Sequence, residues 1–347
     1  MKSLRISGGW LTVNRFCNFK CGWCYAKGTR YRPRDDMSWK LARNLVDLMA
    51  AIGIQNVILI GGETLFWPHL FDLAEYIAHL EMESTVVTNG WLLGSESFRA
   101  RLATSKIRQV NISLKGASRE QYITLTGVDC FERVCDGIYQ TSQITDMSIN
   151  ASVVLSKALL GKMPEVATVA AESGAGHLLI THCGPSIYPS EGYDDTYMPE
   201  PTEFVADLVS SYREVNSTMR GSFTIEMGVP RCLWPEEDLR FLEGGHHLSY
   251  SCHFKKRGGL IFDGQGRVLP CNHLHGYPLG SFEKDFTDLG SFIEFWNKPE
   301  WEDFYAKMIS YPSTKCVRCD SFVDCGGGCP LLWLVRNPRE VIEKGGI

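Results

Sequence analysis

The sequence predicts an α/β fold: a partial, TIM-like (β/α)6 barrel followed by a cysteine-rich C-terminal domain. From about residue 4 to 180, short β-rich runs alternate with longer segments of helical period, which is typical of parallel strands joined by crossover helices. About six such units are present, whereas a closed barrel of this kind has eight. After residue 230 the chain is rich in cysteine and turn residues instead. We therefore expect a barrel over 1–182, a bridge over 183–230 and a cysteine-rich domain over 231–347.

The elements follow from hydrophobic period and from capping residues. Ser38 and Ser95 are predicted helix N-caps, and Gly53 is a predicted helix stop. The predicted strands are Trp10–Asn14, Asn56–Ile60, Thr85–Thr88, Gln109–Leu114, Ser148–Leu155 and His177–Thr181. Helices are predicted at 38–53, 68–83, 95–105, 119–125, 131–142, 163–172 and 202–217. Near the C-terminus, two β-prone runs joined at Asp263 and Gly264 predict a hairpin.

The charges of the chain are mixed and dispersed. The formal net charge is −5 and the pI is near 6.0, and no basic stripe is present that could neutralise phosphates, so we expect no nucleic-acid partner. No apolar run reaches the ~18 residues of a membrane span, and the first sixteen residues carry no secretory signal. We therefore expect no membrane partner and a cytoplasmic location.

Clustered cysteines are the strongest functional signal. In a reducing cytoplasm, cysteines in close groups indicate metal ligands or catalytic groups rather than disulfides. Nine of the thirteen fall in such groups, namely Cys17, Cys21 and Cys24, then Cys252 and Cys271, then Cys316, Cys319, Cys325 and Cys329. The others are by default small buried hydrophobic residues, namely Cys130, Cys135, Cys183 and Cys232.

The first group, which we call the triple-cysteine loop, follows the first predicted strand, where active sites of this fold lie. A [4Fe-4S] cluster has four irons that each prefer a soft thiolate, so three thiols leave one iron open to bind and activate a substrate. A zinc site completed by a distant ligand is the alternative. The next three strands end at GGE (61–63), TNG (88–90) and SLKG (113–116), so these motifs should lie beside the loop.

The spacing Cys-x3-Cys-x2-Cys, with Trp23 before the last cysteine, resembles the signature of the radical S-adenosylmethionine (SAM) enzymes. The resemblance implies that the triple-cysteine loop holds a [4Fe-4S] cluster whose open iron chelates SAM. It also implies reductive cleavage of SAM to a 5'-deoxyadenosyl radical that abstracts a substrate hydrogen. An electron donor such as flavodoxin or ferredoxin is a further implied partner.

The same resemblance assigns residues to SAM. Trp23 and Tyr25 are expected beside the adenine. The family's glycine-rich segment, which binds the SAM amino group, matches Gly61, Gly62 and Glu63. Two glycines let backbone approach a ligand, and a carboxylate suits an ammonium group. Ser113 is expected at the SAM ribose or carboxylate. Lys115, on the same face, either pairs with the SAM carboxylate or is a solvated surface lysine.

The C-terminal cysteines resemble a SPASM domain, which in the family binds two auxiliary [4Fe-4S] clusters. One would use the hairpin set, defined as Cys252, Cys271 and Cys329. The other would use the tail set, defined as Cys316, Cys319 and Cys325. The family's further downstream cysteine has no match between Cys329 and residue 347.

The fourth ligands of these clusters are therefore open. Cys232 is the candidate for the hairpin set, with a buried structural thiol as the alternative. For the tail set, Asp320, Asp324 or another group would serve, or that cluster is absent. A zinc ribbon is the competing interpretation of the whole region.

Enzymes with this pair of domains mostly modify peptides. Sulfatase maturation is disfavoured, because Asn272 occupies the position of that group's aspartate base and cannot accept a proton at neutral pH. The short segment before the first strand leaves no room for an N-terminal peptide-recognition domain, so a separate recognition protein is a possible partner. We expect a radical SAM oxidoreductase that crosslinks a precursor peptide. The alternatives are a dehydrogenase, epimerase or decarboxylase of a sugar or nucleoside, and a non-catalytic iron-sulfur sensor.

Overall fold

The computed structural model describes residues 4, 6–27, 35–144, 146–188, 192–308 and 311–343. Its strands are β1 (Gly8–Thr12), β2 (Asn56–Ile60), β3 (Glu83–Thr88), β4 (Gln109–Leu114), β5 (Ser148–Leu155), β6 (Leu178–His182), β7 (Ser186–Tyr188), β8 (Gly192–Asp194), β9 (Phe223–Glu226), β10 (Leu248–Ser249), β11 (Gly259–Phe262), β12 (Arg267–Leu269) and β13 (Gly280–Ser281). The helices are α1 (Trp39–Ile52), α2 (Leu70–His79), α3 (Glu96–Ala103), α4 (Arg119–Thr126), α5 (Phe131–Ile144), α6 (Met163–Glu172), α7 (Pro201–Thr218), α8 (Glu236–Gly244), α9 (His253–Lys256), α10 (Leu289–Trp296), α11 (Pro299–Met308), α12 (Thr314–Val317), α13 (Phe322–Cys325) and α14 (Leu332–Val335).

Eleven of these strands form one sheet, in the order β10-β9-β6-β5-β4-β3-β2-β1-β11-β12-β13, and β7 and β8 form a separate antiparallel pair. Every pairing from β10 to β11 is parallel, whereas β12 pairs antiparallel with both β11 and β13. The predicted α/β class, with parallel strands joined by crossover helices, is confirmed. Because the first six strands lie side by side in sequence order, their carboxyl ends meet along one edge of the sheet.

All six predicted barrel strands are present, and the first is shifted by two residues. β1 begins at Gly8 and ends at Thr12, whereas the prediction ran from Trp10 to Asn14. Glycine is a poor strand former, which hides the true start in the sequence. The strand ends early because the Asn14 carbonyl accepts a hydrogen bond from the Gly62 backbone (3.0 Å) and that of Phe16 accepts one from Glu63 (2.6 Å).

The sheet continues across both predicted domain boundaries. β9, from the predicted bridge, pairs with β6, and β11, from the predicted C-terminal domain, pairs in parallel with β1 through Gly8↔Gly259 to Leu11↔Phe262. β11 and β12 form the predicted hairpin. Asp263 makes its turn, since one of its carboxylate oxygens accepts from the backbone N–H groups of Gln265 and Arg267, both at 3.0 Å. The division at residues 182 and 230 stays a prediction.

The helices cover the sheet with apolar faces. In α1, Ala42, Leu45 and Met49 are fully buried, and their i, i+3, i+4 spacing places them on one face. The Ser38 hydroxyl accepts from the Leu41 backbone, and Gly53 ends the helix in the left-handed conformation, as predicted. Ser95 occupies the N-cap position of α3, but its side chain makes no capping hydrogen bond. Among the described residues, no helix is both long and apolar enough for a membrane crossing.

The C-terminal segment is fastened to the bridge by Arg336. Its guanidinium donates to both carboxylate oxygens of Glu200, at 2.7 and 2.8 Å, and to Asp195 at 2.6 Å. The arginine side chain is only 16% exposed, while that of Glu200 is 43% exposed. The planar fork therefore joins the start of α7 to the end of α14.

Replacing this fork tests how strongly the tail is held. We expect Arg336→Lys to lower the free energy of unfolding by about 1 kcal/mol, because an ammonium cannot reproduce the bidentate contact and the carboxylates are partly solvated. Urea unfolding would measure the change. Arg339→Lys, at an exposed position three residues on, is the control and should leave stability unchanged. Equal stability of both variants and the parent would contradict the expected role of the fork.

Candidate active site

A cavity of about 300 Å³ opens at the carboxyl edge of the sheet. The triple-cysteine loop supplies Cys17, Cys21 and Cys24 to its wall, and the predicted strand-end motifs supply much of the rest. Its apolar wall comes from Phe19, Trp23, Ile60, Val87 and Val154, and its polar groups include Thr88, Asn89, Ser113 and Lys115. Mostly apolar cavities with a few convergent polar groups are typical of ligand sites.

The triple-cysteine loop is compact. The Phe19 backbone donates to the Cys17 sulfur at 3.4 Å, and the Cys24 backbone donates to the Cys21 carbonyl at 3.2 Å. Burial raises the pKa of Cys17 to about 11 and also raises that of Cys21, while the charge of Lys115 acts in the opposite direction on both thiols. Without a metal these two thiols are therefore protonated at neutral pH, and binding a cluster releases their protons.

The residues of this cavity fit a [4Fe-4S] cluster with SAM. Three soft donors line one wall, and a cation and hydroxyl groups lie within the same cavity. Each thiolate of such a cluster binds a different iron, so the ligands need not converge on one point. Within the described ranges, no three His, Cys, Asp or Glu side chains do converge as the ligands of a single ion would.

Glu63 makes structural hydrogen bonds that the sequence did not predict. Its carboxylate is 1% exposed and is absent from the cavity wall. One oxygen accepts from the Thr88 hydroxyl (2.5 Å) and the Leu65 backbone (3.1 Å), and the other accepts from the Asn89 backbone (2.7 Å). Burial raises the pKa of Glu63, and these hydrogen bonds oppose the rise. The carboxylate therefore joins the loops after β2 and β3, and its assignment to the SAM ammonium stays a prediction.

Gly61 and Gly62 do line the cavity, as predicted. They are needed for a further reason, since a Cβ on Gly62 would overlap the carbonyl oxygens of Arg15 and Phe16, and one on Gly61 would overlap the Asn14 side chain. The glycines thus let the chain leaving β1 pass directly against the chain leaving β2.

The other predicted SAM residues also lie at the cavity. Trp23, Tyr25, Ser113 and Lys115 all line it. The Tyr25 ring packs 5.4 Å from that of His273, between ring centroids, and burial raises its pKa. The Ser113 hydroxyl lies 3.4 Å from that of Ser152 on the neighbouring strand. Their assignment to parts of SAM stays a prediction.

A second cavity of about 210 Å³ adjoins the first. The complete hairpin set, Cys252, Cys271 and Cys329, lines it. Burial raises the pKa of Cys271 to about 12 and of Cys329 to about 11, and each of these thiols also feels the charge of Cys252. The structure thus brings together three cysteines that are separated by up to 77 positions in the sequence (329 − 252).

The two cavities share part of their walls. Thr181, His182, Gly184 and His273 line both. The triple-cysteine loop and the hairpin set therefore line two adjoining cavities. His273 is held in place by a hydrogen bond of 3.0 Å between its Nδ1 and the Pro185 carbonyl. His247, by contrast, stacks on Phe223 at 4.1 Å as a structural residue.

The tail set lies apart from both cavities. Burial raises the pKa of Cys316, and the thiolates of Cys325 and Cys319 raise it further. Cys232 lies near the tail set. Burial raises the pKa of the Cys232 thiol, and the charges of Cys325, Cys316 and Cys319 raise it further. This differs from the expectation that Cys232 completes the hairpin set.

Three site residues had been given no individual role from the sequence, namely Asn89, His182 and Glu226. The Asn89 side chain donates to the side-chain oxygen of Asn18 at 2.8 Å and to the Cys17 sulfur at 3.7 Å. The Glu226 carboxylate, at the end of β9, accepts from the Thr181 hydroxyl at 2.8 Å, and burial raises its pKa. Burial lowers the pKa of His182 to about 4, and its Nε2 has no hydrogen-bond partner among the described residues. The one sequence signal for these residues is their position at the carboxyl ends of predicted strands, where active-site residues of this fold lie.

The Glu63 carboxylate offers a direct test of the site's framework. We expect Glu63→Gln to lower the free energy of unfolding by about 1–3 kcal/mol, because an amide NH2 would face a backbone donor in place of an acceptor. SAM affinity should also weaken, since Gly61 and Gly62 precede this residue directly. Urea unfolding and equilibrium dialysis with SAM would measure both effects. Glu75→Gln on the exposed face of α2 is the control, and a Glu63→Gln variant that matches it would refute this role.

Comparison with known proteins identifies a radical SAM domain in the N-terminal part of the chain. The radical SAM superfamily model matches residues 11–150. A probable GTP 3',8-cyclase from Thermococcus kodakarensis is 28% identical over 153 residues, covering 44% of this chain and 48% of that protein. An AdoMet-dependent heme synthase from Methanosarcina barkeri is 29% identical over 160 residues, covering 46% and 45%. The chain therefore spans about half the length of these curated relatives.

Solved structures resemble nearly the whole chain. Streptococcus suis SuiB, bound to the precursor peptide SuiA, has a TM-score of 0.73 at 19% identity, over 96% of this chain and 74% of that one. The enzyme anSMEcpe with bound AdoMet has a TM-score of 0.68 at 19% identity, over 98% of both chains. At this identity the likeness concerns the fold. The family match, by contrast, identifies a radical SAM domain at residues 11–150, the segment that contains the triple-cysteine loop.

Proposed function

We propose that this protein is a radical SAM oxidoreductase that forms a crosslink in a ribosomally made precursor peptide. The single observation that carries the proposal is that the cavities of the triple-cysteine loop and of the hairpin set adjoin and share the wall residues Thr181, His182, Gly184 and His273. A substrate bound where the two cavities meet would lie near both cysteine sets. SuiB, which shares the fold, was solved with a precursor peptide.

Members of the superfamily bind a [4Fe-4S] cluster and SAM, which together supply a radical that abstracts a hydrogen atom. In this chain, Cys17, Cys21 and Cys24 would hold the cluster and Gly61, Gly62, Ser113 and Lys115 would surround SAM. The role of Lys115 is electrostatic, since its charge favours ionised thiols at Cys17 and Cys21. The aromatic and aliphatic wall excludes water from the reacting centre, which protects a radical from side reactions.

Crosslink formation removes two hydrogen atoms from the peptide. One leaves as a hydrogen atom, and the other leaves as a proton and an electron. The hairpin set lines the adjoining cavity, so an auxiliary cluster there would be within reach to accept that electron. Glu226 also lines this cavity, and its raised pKa makes it a stronger base than an ordinary carboxylate. We assign Glu226 as the group that takes the proton.

A small-molecule reaction is the second candidate. The relatives named GTP 3',8-cyclase and AdoMet-dependent heme synthase match this chain over 48% and 45% of their own length. A sugar or nucleoside substrate would occupy the same space between the two cysteine sets. An electron donor such as flavodoxin or ferredoxin belongs to either proposal, whereas a separate peptide-recognition protein belongs only to the first.

The first experiment separates an enzyme from an iron-sulfur sensor. Anaerobically reconstituted, reduced protein with SAM is expected to form 5'-deoxyadenosine, and a Cys17→Ala/Cys21→Ala/Cys24→Ala variant is expected to form none. Chromatography of the reaction mixture measures the product, and Cys135→Ala, which lies outside the three cysteine sets, is the control. Absence of 5'-deoxyadenosine from the reduced wild type would contradict the enzymatic function.

The substrate class is tested on the same preparation. Peptides encoded by short reading frames beside the gene, and GTP as a small-molecule probe, would each be incubated with the reduced enzyme. A peptide that loses the mass of two hydrogen atoms supports the crosslinking proposal. Conversion of GTP with no change in any peptide would favour the second candidate instead.

Glu226 gives a more specific prediction. Glu226→Gln keeps an oxygen that can accept from Thr181 but removes the base. We expect crosslinked product per 5'-deoxyadenosine to fall on the order of a hundredfold while SAM cleavage itself continues, because proton removal follows hydrogen abstraction. Quantitative mass spectrometry of both products measures this ratio. Glu214→Gln on the exposed face of α7 is the control, and an unchanged ratio in Glu226→Gln would remove the base from the mechanism.

A further inference from the structure

A fourth cysteine lies beside the tail set and comes from a distant part of the chain. Cys232 lies on a short 3-10 helix, Arg231–Leu233, 84 positions before Cys316 (316 − 232). The three tail cysteines are carried by the turns and short helices around α12 and α13. Sequence distance alone gave no reason to join them.

Backbone contacts hold this short helix against the tail. The Arg231 backbone N–H donates to the Cys325 sulfur at 3.3 Å, so the residue next to Cys232 already contacts a tail thiol. Four residues on, the Cys329 backbone donates to the Gly228 carbonyl at 2.9 Å. A Cβ on Gly328 would lie 3.1 Å from that same carbonyl oxygen and from Pro230, which shows how closely the two segments pass.

The surroundings fix the position of Cys232. The Arg231 guanidinium donates to both carboxylate oxygens of Glu243, at 3.0 and 3.3 Å, and the Tyr250 hydroxyl donates to the same carboxylate at 2.7 Å. On the other side of the cysteine, Leu233 and Trp234 are buried. The Lys255 ammonium group donates to the Cys325 carbonyl at 2.6 Å and secures the tail turn. Hydrogen bonds therefore hold both segments that meet at the contact between Arg231 and Cys325.

We infer that Cys232 is the fourth ligand of the tail set, so that Cys232, Cys316, Cys319 and Cys325 together hold one auxiliary [4Fe-4S] cluster. Four soft thiolates are the ligand set such a cluster prefers. The carboxylates weighed as alternatives, Asp320 and Asp324, offer harder oxygen ligands. The cluster would link the start of the cysteine-rich region to its end, and the free energy of cluster binding would stabilise the folded state of this region. This inference goes beyond the proposed function, which places an auxiliary cluster only at the hairpin set, and it rests on the expectation that the tail set holds a cluster.

Differential alkylation with mass spectrometry tests the assignment without any activity assay. Cys232 is exposed in the chain, so iodoacetamide should label it in cluster-free protein and should label it at least tenfold less after anaerobic reconstitution. Cys135, a half-buried thiol on α5, is the internal reference, because its labelling should not depend on iron.

Two double variants decide which cluster protects Cys232. In reconstituted Cys316→Ala/Cys319→Ala we expect Cys232 to be labelled as in cluster-free protein. In reconstituted Cys252→Ala/Cys271→Ala we expect it to stay protected. The reverse pattern would assign Cys232 to the hairpin set and overturn the inference.

Iron content gives a second readout. Cys232→Ala should lose up to about four irons per chain, or convert the tail cluster to a three-iron form visible by electron paramagnetic resonance, while Cys135→Ala should keep its full iron content. If reconstituted wild type leaves Cys232 labelled but Cys316, Cys319 and Cys325 protected, the inference alone fails. If all four remain labelled, the expected tail cluster fails with it, while the proposed function, which depends on the other two cysteine sets, is unaffected.

Discussion

The carboxylate of Glu63 is the interaction on which the site depends. It accepts hydrogen bonds from Thr88, Asn89 and Leu65, and so joins the chain after β2 to the chain after β3. Its backbone is tied to the chain after β1, since the Asn14 amide donates to the Glu63 carbonyl at 2.8 Å and the Glu63 N–H donates to Phe16. One buried residue thus fixes three strand-end loops relative to one another. The triple-cysteine loop begins at Cys17, directly after Phe16, so the hydrogen bond from Glu63 to Phe16 also positions the start of this loop.

The sheet carries this arrangement into the C-terminal region. Because β11 pairs in parallel with β1, the hairpin that follows is registered against the same strand that leads into the triple-cysteine loop. β9 extends the opposite side of the barrel next to β6, which brings Glu226 beside Thr181. The space between the triple-cysteine loop and the hairpin set is therefore walled from both sides by one continuous sheet. A substrate bound there is held between two potential redox centres whose separation is set by backbone pairing.

The bridge, residues 183–230, also packs against the triple-cysteine loop. The Tyr197 ring packs 5.8 Å from that of Trp23, and a Cβ on Gly22 would overlap Tyr197. The Lys27 ammonium pairs with Asp194 at 3.2 Å, and the Ser186 hydroxyl donates to the Cys24 carbonyl at 3.3 Å. The bridge therefore packs over the outer side of the triple-cysteine loop. This packing explains the glycine at position 22, between two of the cysteines, as a requirement of close approach.

The sequence by itself determined the local features. Periodicity and capping residues located the six barrel strands and α1, and the spacing of Cys17, Cys21 and Cys24 indicated their chemistry, because these signals arise within a few neighbouring residues. Only the tertiary structure decided what depends on partners distant in the chain. It turned Glu63 away from the cavity toward three donors, placed β11 beside β1, and set Cys232 against the tail set instead of the hairpin set. The physical reason is that hydrogen-bond donors, strand partners and thiol neighbours are supplied by whichever segments the fold packs together, and no local pattern encodes which segments those are.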